Sequence, residues 1–477
     1  MRDVLSVASE CAPLVKTGGL ADVVGALPAA LKGEGVRVLT LLPGYPKVMA
    51  ALGAASGTLL DEPELFGGPA RVVAGQAAGL DILAIEAPHL YARECGPYLD
   101  PEGRDWPDNP ERFAALSWIA ARIAGGALPG WRPSVIHAHD WQAGLVADHL
   151  AKQGVSDVGT ILTIHNIAFQ GLVPAHRLED LRLDPGRYTQ GGFEYWGQVS
   201  MLKAGLTACD KLTTVSPTYA NELMRPEFGM GLDGVMRERR ADLAGILNGI
   251  DDATWNPGED ALIPAPYTRP RGKAANKAAL REEFGLGEAA GPLCIVVSRL
   301  TEQKGIDLLI EALPVLLERG GQLALLGSGH RSMEAALNDA AAAHDNVAVR
   351  IGYDEALSHR MMAGADTILV PSRFEPCGLT QMYGLRYGTV PLVALTGGLA
   401  DTVINASPMA LERGVATGLQ FWPADAEGLK NALSRLCDLY EAGPTFRQMQ
   451  KNGMAQPVGW AGSAAAYARL YDEVGAR

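Results

Sequence analysis

Short apolar runs rich in β-branched residues alternate with amphipathic segments along most of the chain. In the first half the strand-like runs are residues 4–9, 36–42, 80–85, 135–138, 160–164 and 211–215. Helical patterns separate several of them, at residues 20–32, 111–123, 141–152 and 200–208. Because alternation of this kind is typical of βαβ units, we predict a parallel sheet flanked by helices.

The same alternation of strand-like and helical segments begins again after a segment rich in Asn, Gly, Pro and Trp at residues 247–257. The later strand-like runs are residues 293–297, 323–326, 347–351, 367–370 and 390–394. The helical patterns between them are residues 306–317, 331–343, 355–363 and 379–387. We therefore expect an α/β protein with two doubly wound, Rossmann-like domains, residues 1–245 and 246–456, facing a central cleft. Residues 457–477 contain a last helical pattern without a strand partner, which is expected to pack back on the first domain.

Composition narrows the class of protein. The chain has 477 residues, of which 48% are hydrophobic and 20% charged, so it can bury large cores. A net charge of −13 disfavours a nucleic-acid partner, because a phosphate backbone attracts clustered Lys and Arg. The six cysteines form no CxxC pair, and no apolar stretch approaches the roughly 18 residues of a membrane span. We therefore predict a soluble, cytoplasmic protein with no membrane partner, zinc site or disulfide framework.

A glycine pair follows the first predicted strand, in the string KTGGLAD. Gly18 and Gly19 at a helix start let backbone N–H groups approach an anion, and Lys16 adds a mobile cation. The alternative is an ordinary turn between strand and helix with a solvated lysine. TGGLAD recurs letter for letter at residues 396–401, after another predicted strand, which indicates two glycine loops that face each other.

Two loops of the second domain carry candidate charges. Arg299 and Lys304 leave a strand and enter a helix, where cations are unfavourable to the helix dipole and need an anionic partner. A diphosphate would be such a partner, and surface salt bridges are the alternative. Glu375, in the string PSRFEPCGLT, either complements a helix start or binds a sugar and stabilises positive charge on it. Cys377 in the same string is more often a small buried residue than a nucleophile.

Two histidine loops end strands of the first domain. The string HAHDWQ contains His137, His139, Asp140 and Trp141, and TIHNIAFQ contains His165. The HxHD spacing resembles a metal cluster, but no further ligand set accompanies it, so no metal site is predicted. An aromatic ring such as Trp141 beside carboxylate and amide groups suits a carbohydrate.

The motifs, taken together, resemble those of bacterial glycogen synthases and plant starch synthases. The matching strings include KTGGLADV, HAHDWQA, TIHNIAFQG, GILNGID, SRLTEQKGIDLL, PSRFEPCGLTQ and TGGLADTV, in the family's order from about residue 4 to residue 404. These families are retaining glycosyltransferases with the two-domain GT-B fold. The resemblance implies an enzyme that uses ADP-glucose to lengthen the non-reducing end of glycogen, an α-1,4-glucan, without a metal or organic cofactor. The residue chemistry leaves ADP-glucose and UDP-glucose as alternatives.

The resemblance also implies roles for individual residues. The matching catalytic positions are Glu375, His165, Arg299, Lys304 and Lys16. The matching donor-binding positions are Lys16, Gly18, Gly19, Arg299, Lys304, Tyr353, Glu375, Cys377, Gly378, Leu379 and Thr380. The acceptor-side positions are Tyr98, Asp140 and Trp141. The chain departs from the broader retaining GT-B pattern at Tyr383, where many relatives have a second glutamate, and this agrees with the glycogen synthase subset.

Three other functions share part of this pattern. A GT-B glycan phosphorylase would need a pyridoxal-phosphate lysine. A glycoside hydrolase would use two carboxylates at a defined separation and would not need cations for a diphosphate. A non-catalytic glucan-binding protein would be expected to lose Glu375 or the two cations, and the chain keeps all three.

Overall fold

The structure, a computed structural model, describes residues 2–53 and 57–475. The chain divides into two compact units. The N-terminal unit contains the chain up to Gly249 and, after a long excursion, the chain from Trp460 onward. The C-terminal unit is Ile250–Gly459.

Strands of the N-terminal unit form one large sheet and one small one. They are β1 (Arg2–Val7), β2 (Val36–Pro43), β3 (Gly57–Glu62), β4 (Ala70–Ala77), β5 (Leu80–Glu86), β6 (Val135–His139), β7 (Gly159–Ile164), β8 (Leu172–Pro174), β9 (Glu194–Tyr195), β10 (Gln198–Ser200), β11 (Lys211–Thr214) and β12 (Leu243–Gly245). The large sheet has the order β12-β11-β7-β6-β1-β2-β5-β4-β3, and the small sheet has the order β8-β10-β9. Pairing in the large sheet is parallel from β12 to β5 and antiparallel at β4 and β3.

Helices of the N-terminal unit cover this sheet. They are α1 (Gly19–Lys32), α2 (Pro46–Leu52), α3 (Pro88–Tyr91), α4 (Asn109–Arg122), α5 (Val146–Lys152), α6 (Met201–Ala208), α7 (Pro217–Leu223) and α8 (Asp233–Glu238). Ser200 caps α6 by accepting a hydrogen bond from the backbone N–H of Lys203, and Ser216 caps α7 in the same way. The helix expected over residues 141–152 is interrupted. A 3-10 turn, Trp141–Ala143, follows Asp140, whose φ is 54°, and Gly144 and Leu145 separate this turn from α5.

The C-terminal unit contains a parallel, doubly wound sheet. Its strands are β13 (Leu293–Val297), β14 (Gln322–Gly327), β15 (Val347–Ile351), β16 (Thr367–Val370), β17 (Val390–Ala394) and β18 (Leu419–Phe421). Its helices are α9 (Lys273–Phe284), α10 (Ile306–Glu318), α11 (Arg331–Ala343), α12 (Glu355–Gly364), α13 (Thr380–Tyr387), α14 (Gly397–Thr402), α15 (Pro408–Glu412), α16 (Ala426–Glu441) and α17 (Pro444–Met454). The strand order is β15-β14-β13-β16-β17-β18. The chain adds strands outward from β13 on one side and outward from β16 on the other, so the switch point of the sheet lies between β13 and β16, where ligands bind in sheets of this kind.

The last helix, α18 (Ala461–Gly475), belongs to the N-terminal unit. Its buried face includes Tyr467, Tyr471 and Val474, which pack with Val135 and other residues of the parallel sheet. The Tyr471 hydroxyl and His137 Nδ1 are 2.8 Å apart within this contact. The helix therefore completes the core of the N-terminal unit, although the rest of that unit ends at Gly249, more than two hundred positions earlier in the sequence.

The expectation of two doubly wound α/β units is confirmed. The hydrophobic runs predicted as central parallel strands are present, within about two residues at each end. Prediction missed the antiparallel β3 and β4, the short β8, β9 and β10, and the parallel edge strands β12 and β18. Strand β3 is mostly exposed, so it has no continuous apolar run by which the sequence could indicate it. No helix in the described parts of the chain is long and apolar enough to cross a lipid bilayer.

Candidate active site

A cavity of about 190 Å³ lies in the C-terminal unit at the carboxyl ends of β13 and β16. It is lined by Val296, Val297, Ser298, Arg299, Lys304, Leu369, Val370, Pro371, Ser372, Glu375, Gly378, Leu379 and Thr380. The structure thus brings six of the residues selected from sequence to one place: Arg299, Lys304, Glu375, Gly378, Leu379 and Thr380. Two others lie outside the lining. Cys377 is buried behind it, and Tyr353 is exposed beyond the end of β15, where its hydroxyl donates to Glu355 Oε2 at 2.6 Å.

Lys304 and Glu375 form an ion pair in this cavity. Glu375 is 7% exposed, and its Oε2 accepts hydrogen bonds from Lys304 Nζ and, at 3.0 Å, from Ser372 Oγ. An ion pair so far removed from water is stabilised by the low local dielectric only while both partners remain. The pair therefore fixes a carboxylate and an ammonium group side by side at the cavity wall.

The two loops that carry this ion pair are locked together. Gly305 has φ of 66°, and a Cβ there would lie 2.0 Å from the carbonyl oxygen of Pro371, so only glycine permits this approach. Arg373 makes a bidentate contact with Asp307, at 2.7 and 2.6 Å, and its backbone N–H donates to the carbonyl of Gln303. Residues far apart in sequence are thereby held at one edge of the sheet.

Arg299 differs from Lys304 in its surroundings. Its side chain is exposed at the mouth of the cavity, and in residues 2–53 and 57–475 no carboxylate forms an ion pair with it. The alternative of two surface salt bridges therefore does not hold for Arg299. Lys304 does form a salt bridge, but its partner is Glu375, which also lines the cavity.

The two TGGLAD strings have different surroundings. Gly18 and Gly19 are exposed, and a Cβ on either would meet no atom within 4 Å. Gly397 and Gly398 are buried, and a Cβ on them would lie 2.0 Å from the Glu375 carbonyl oxygen and 2.2 Å from the Cys377 carbonyl oxygen. The first pair leaves room for a ligand, whereas the second supports the loop that carries Glu375.

Glu10 organises the first glycine loop and was missed from sequence. This carboxylate is 3% exposed and accepts hydrogen bonds from the backbone N–H and hydroxyl of Thr17. It also accepts from the hydroxyl of Tyr98 at 2.5 Å, and that hydroxyl lies 2.7 Å from Ser9 Oγ. Glu10 thus joins the glycine loop to Tyr98, a predicted acceptor-side residue. The only signal for Glu10 in the sequence was an acidic residue at the end of the first predicted strand.

The side chain of Lys16 projects from the same loop. Its Nζ lies 2.7 Å from Asp22 Oδ1, and 40% of the side chain is exposed. An exposed ion pair of this kind contributes little to stability, so the ammonium group can exchange its partner at small cost.

Three histidines lie at the carboxyl ends of β6 and β7. Burial lowers the pKa of His137 and of His165 to about 3, and lowers that of His139 well below its ordinary value. The His139 Nδ1 and His165 Nε2 atoms are 3.0 Å apart, and His137 Nε2 is 2.6 Å from Thr163 Oγ1. These imidazoles are therefore neutral at physiological pH. Within the described residues, no histidine, cysteine or acidic group belongs to a metal-like cluster.

Asp140 bends the chain beside His165. Its Oδ1 accepts a hydrogen bond from the backbone N–H of His165 at 2.7 Å. Burial raises the pKa of Asp140 to about 7, although backbone N–H groups of His165 and Asn166 act in the opposite direction. Its positive φ is uncommon for a residue with a side chain and fits a position held by the surrounding structure.

The predicted acceptor-side aromatic residues lie close together. Phe113 stands between them, with its ring centroid 5.8 Å from that of Tyr98 and 5.0 Å from that of Trp141. Gly171 covers part of the Trp141 ring so closely that a Cβ would lie 2.3 Å from Cε3. Phe113 was missed from sequence, because it reads as an ordinary core residue of a helix.

Tyr383, the position of the departure noted above, lies in a stack of rings. The indole of Trp255 lies parallel to the ring of Tyr383, with centroids 3.7 Å apart, and parallel to His359 at 3.8 Å. An aromatic contact to the start of the C-terminal unit therefore occupies the place of a second carboxylate.

Comparison with known proteins gives the same result over the whole chain. Residues 3–238 match the starch synthase catalytic domain family, and residues 281–455 match the glycosyl transferases group 1 family. A glycogen synthase of Paracoccus denitrificans is 62% identical and covers 100% of both chains. A glycogen synthase of Jannaschia sp. is also 62% identical and covers 99% of both chains.

Solved structures agree in fold. The catalytic domain of starch synthase IV from Arabidopsis thaliana, bound to ADP and acarbose, has a TM-score of 0.88 at 32% identity, with both chains covered completely. A sucrose-phosphate synthase from Thermosynechococcus elongatus has a TM-score of 0.62 at 20% identity, again over 100% of both chains, and supports the fold alone. The fold is that of the GT-B glycosyltransferases, and the chain belongs to the glycogen synthase family of these enzymes.

Proposed function

We propose that this glycosyltransferase transfers glucose from ADP-glucose to the non-reducing end of an α-1,4-glucan such as glycogen, with retention of configuration. The observation that carries the proposal is the cavity where Lys304 is paired with the buried Glu375 and Arg299 has no ion-pair partner in the described residues. A diphosphate needs cations of this kind, and a neutral sugar ligand alone does not.

The donor would bind in the C-terminal unit. Arg299 and Lys304 would neutralise the diphosphate, and Gly378, Leu379 and Thr380 would lie along the donor at the start of α13. Tyr353 would lie near the base, from its exposed position after β15, and Cys377 would act through packing. The ADP-bound starch synthase relative supports a nucleotide diphosphate as ligand.

The acceptor would bind in the N-terminal unit. Tyr98, Asp140 and Trp141 would contact the glucan, and His165 would face the reacting sugar carbon. Lys16, Gly18 and Gly19 would contribute to the diphosphate, since the open space at both glycines admits an anion at the start of α1. The neutral state of His165 lets its ring donate or accept a hydrogen bond without adding charge.

The charges that develop during glucose transfer explain why the site contains both cationic residues and a carboxylate. Cleavage of the bond between glucose and diphosphate places negative charge on the phosphate and positive charge on the sugar. Arg299, Lys304 and Lys16 would stabilise the leaving diphosphate, as preorganised charges do in other transfers. Glu375 would stabilise the positive sugar carbon. We favour attack of the acceptor hydroxyl from the same face as the leaving group, because the motifs provide no nucleophile for the opposite face.

No cofactor is needed for this reaction, and a cytoplasmic location fits the free cysteines of the described chain.

Incorporation of radiolabelled glucose into glycogen tests the proposal. The enzyme is supplied with ADP-glucose or UDP-glucose, and Glu375→Gln and Lys16→Ala are assayed beside the wild type. We expect strong incorporation from ADP-glucose and its loss by at least about 100-fold in Glu375→Gln. Absence of incorporation by folded wild-type enzyme from either donor would contradict the proposed reaction.

A further inference from the structure

His139 is a buried titratable residue to which the proposed reaction gives no role. It is the last residue of β6, is 1% exposed, and pairs in register with Thr163 on β7. His165 lies two positions beyond Thr163, so its side chain points to the same face of the sheet as that of His139. The two rings meet there, with His139 Nδ1 and His165 Nε2 3.0 Å apart.

Consecutive residues hold both the backbone and the ring of His165. Asp140 Oδ1 accepts a hydrogen bond from the backbone N–H of His165 at 2.7 Å, while His139 contacts the ring. Successive side chains of an extended strand point to opposite faces, so neighbours seldom reach one target. Asp140 has φ of 54°, so this alternation ends at His139. The end of β6 is thus arranged around His165.

The imidazole of His139 is contacted from the strands on both sides of β6. Its Nε2 lies 3.3 Å from the Oγ of Ser6 on β1, and its Nδ1 contacts the ring of His165, which follows β7. The ring of His137 packs beside it, with centroids 4.2 Å apart. Each nitrogen of His139 therefore has one partner, and rotation of the ring would break both contacts.

The two hydrogen-bonded imidazoles are neutral and so carry one N–H group each. Burial lowers the pKa of His139 well below its ordinary value and that of His165 to about 3. Only one of the two rings can supply the proton of the bond that joins them. The position of the proton in one ring therefore fixes its position in the other.

The hydroxyl of Ser6 decides between the two arrangements. Within residues 2–53 and 57–475 its hydrogen-bond partner is His139 Nε2 alone, and Ser6 is 5% exposed. A buried O–H that fails to donate is costly, so Ser6 donates and His139 Nε2 accepts. The proton of His139 then lies on Nδ1 and is donated to His165 Nε2. The proton of His165 must in turn lie on its own Nδ1.

The Nδ1 atom of His165 is the nitrogen available to a ligand. In the described parts of the chain no group forms a hydrogen bond with it, and it is not sealed from solvent. With the proton in this position, His165 presents an uncharged N–H donor.

We propose that His139, oriented by Ser6, is a positioning residue that keeps His165 in the tautomer with its proton on Nδ1, so that this nitrogen donates a hydrogen bond to an oxygen atom of the bound sugar. The inference rests on the proposed function, since it takes His165 to face the sugar of the donor. A neutral donor can hold a hydroxyl oxygen without adding charge beside a sugar that becomes positive. The opposite tautomer would present an acceptor, and the two forms would compete if nothing fixed the proton.

Nitrogen-15 NMR of the histidine rings, in the full chain, tests the tautomer directly. Long-range proton–nitrogen correlation spectra distinguish imidazoles protonated on Nδ1 from those protonated on Nε2. The signals of His165 are those that disappear in His165→Asn. We expect the free wild-type enzyme to carry the His165 proton on Nδ1. A proton on Nε2 would overturn the proposal.

Steady-state kinetics compare His139→Leu with His149→Leu. Leucine keeps a buried apolar side chain but makes no hydrogen bond, so His139→Leu loses the contact with His165. His149 is fully buried and its Nε2 lies 3.0 Å from the carbonyl oxygen of Leu181, which makes it a matched control for loss of a buried imidazole. Both variants are expected to have a lower Tm than the wild type.

We expect kcat/KM for ADP-glucose, at saturating glycogen, to fall about 10- to 100-fold in His139→Leu and to stay within about twofold of the wild type in His149→Leu. His139→Asn keeps an amide group near the place of Nδ1 and is expected to retain more activity than His139→Leu.

Unchanged kcat/KM in His139→Leu overturns the proposal, as does an equal loss in His149→Leu or in His139→Asn. Failure of the wild type to transfer glucose would instead contradict the proposed function, while the NMR spectrum still reports the tautomer of His165.

Discussion

The two identical TGGLAD strings allow one substitution to be tested in two environments. Gly398→Ala adds a methyl group where a Cβ would lie 2.2 Å from the carbonyl oxygen of Cys377. Gly18→Ala adds the same group where no atom lies within 4 Å, at a φ of −157° that alanine adopts freely. A rule based on sequence alone would treat the two substitutions as equivalent. The structure predicts a large loss of stability at Gly398 and little change at Gly18.

The magnitude follows from the contacts. An ordinary contact begins near 3.4 Å, so alanine at position 398 must push the Glu375 loop away by more than about 1 Å. Overpacking of this kind costs about 1–3 kcal/mol. The shift would also disturb the hydrogen bonds that the Gly398 N–H donates to the carbonyls of Glu375 and Pro376, both at 3.1 Å. At Gly18, a less flexible unfolded chain would give a gain of about 0.4–1 kcal/mol, but Gly18 is the N-cap of α1, where alanine is less favourable than glycine by a similar amount, so the net change is close to zero.

Differential scanning calorimetry, which separates the transitions of two units, is the appropriate assay. We expect the transition of the C-terminal unit to fall by about 2–12 °C in Gly398→Ala, since each kcal/mol shifts a domain of this size by about 2–4 °C. Gly18→Ala is expected to unfold close to the wild-type temperature, while its KM for ADP-glucose rises because the methyl group occupies the proposed anion site. A Gly398→Ala protein that unfolds at the wild-type temperature would refute the argument from close contact.

Two further predictions concern buried carboxylates of the N-terminal unit. Glu10→Gln replaces an acceptor oxygen by an amide N–H₂ group that cannot accept from Thr17 or Tyr98, so we expect a KM for ADP-glucose about tenfold higher, with Ser9→Ala as a milder control. An unchanged KM in steady-state assays would show that Glu10 does not order the glycine loop. Asp140 has a pKa of about 7 in the folded protein and 3.8 as an ordinary group, so its contribution to stability is greatest below about pH 4 and is lost as the pH rises to about 7. The Tm of Asp140→Asn relative to the wild type should therefore increase between about pH 4 and pH 7 and level off above it, and a difference independent of pH would contradict the raised pKa.

The sequence by itself determined the central strands and their class. Strands β13, β16 and β17 consist of short apolar runs rich in β-branched residues, and such runs indicate buried parallel strands without knowledge of their neighbours. It also indicated which loops to consider as candidate sites. Arg299 and Glu375 follow such strands directly, and the carboxyl ends of parallel strands lie at one edge of a sheet. The motifs were specific enough to indicate the family.

Only the tertiary structure decided which of these residues meet and in what charge state. Lys304 pairs with Glu375 because β13 and β16 are neighbours at the switch point, a relation that no local pattern encodes. The histidines are neutral and Asp140 is a weak acid because burial removes them from water, and burial is set by distant segments such as α18. For this reason, the same six-residue string, TGGLAD, leaves open space around Gly18 but is packed against backbone at Gly398. Propensity and periodicity are local properties of the chain, whereas contact, dielectric environment and free space depend on what the rest of the fold brings alongside.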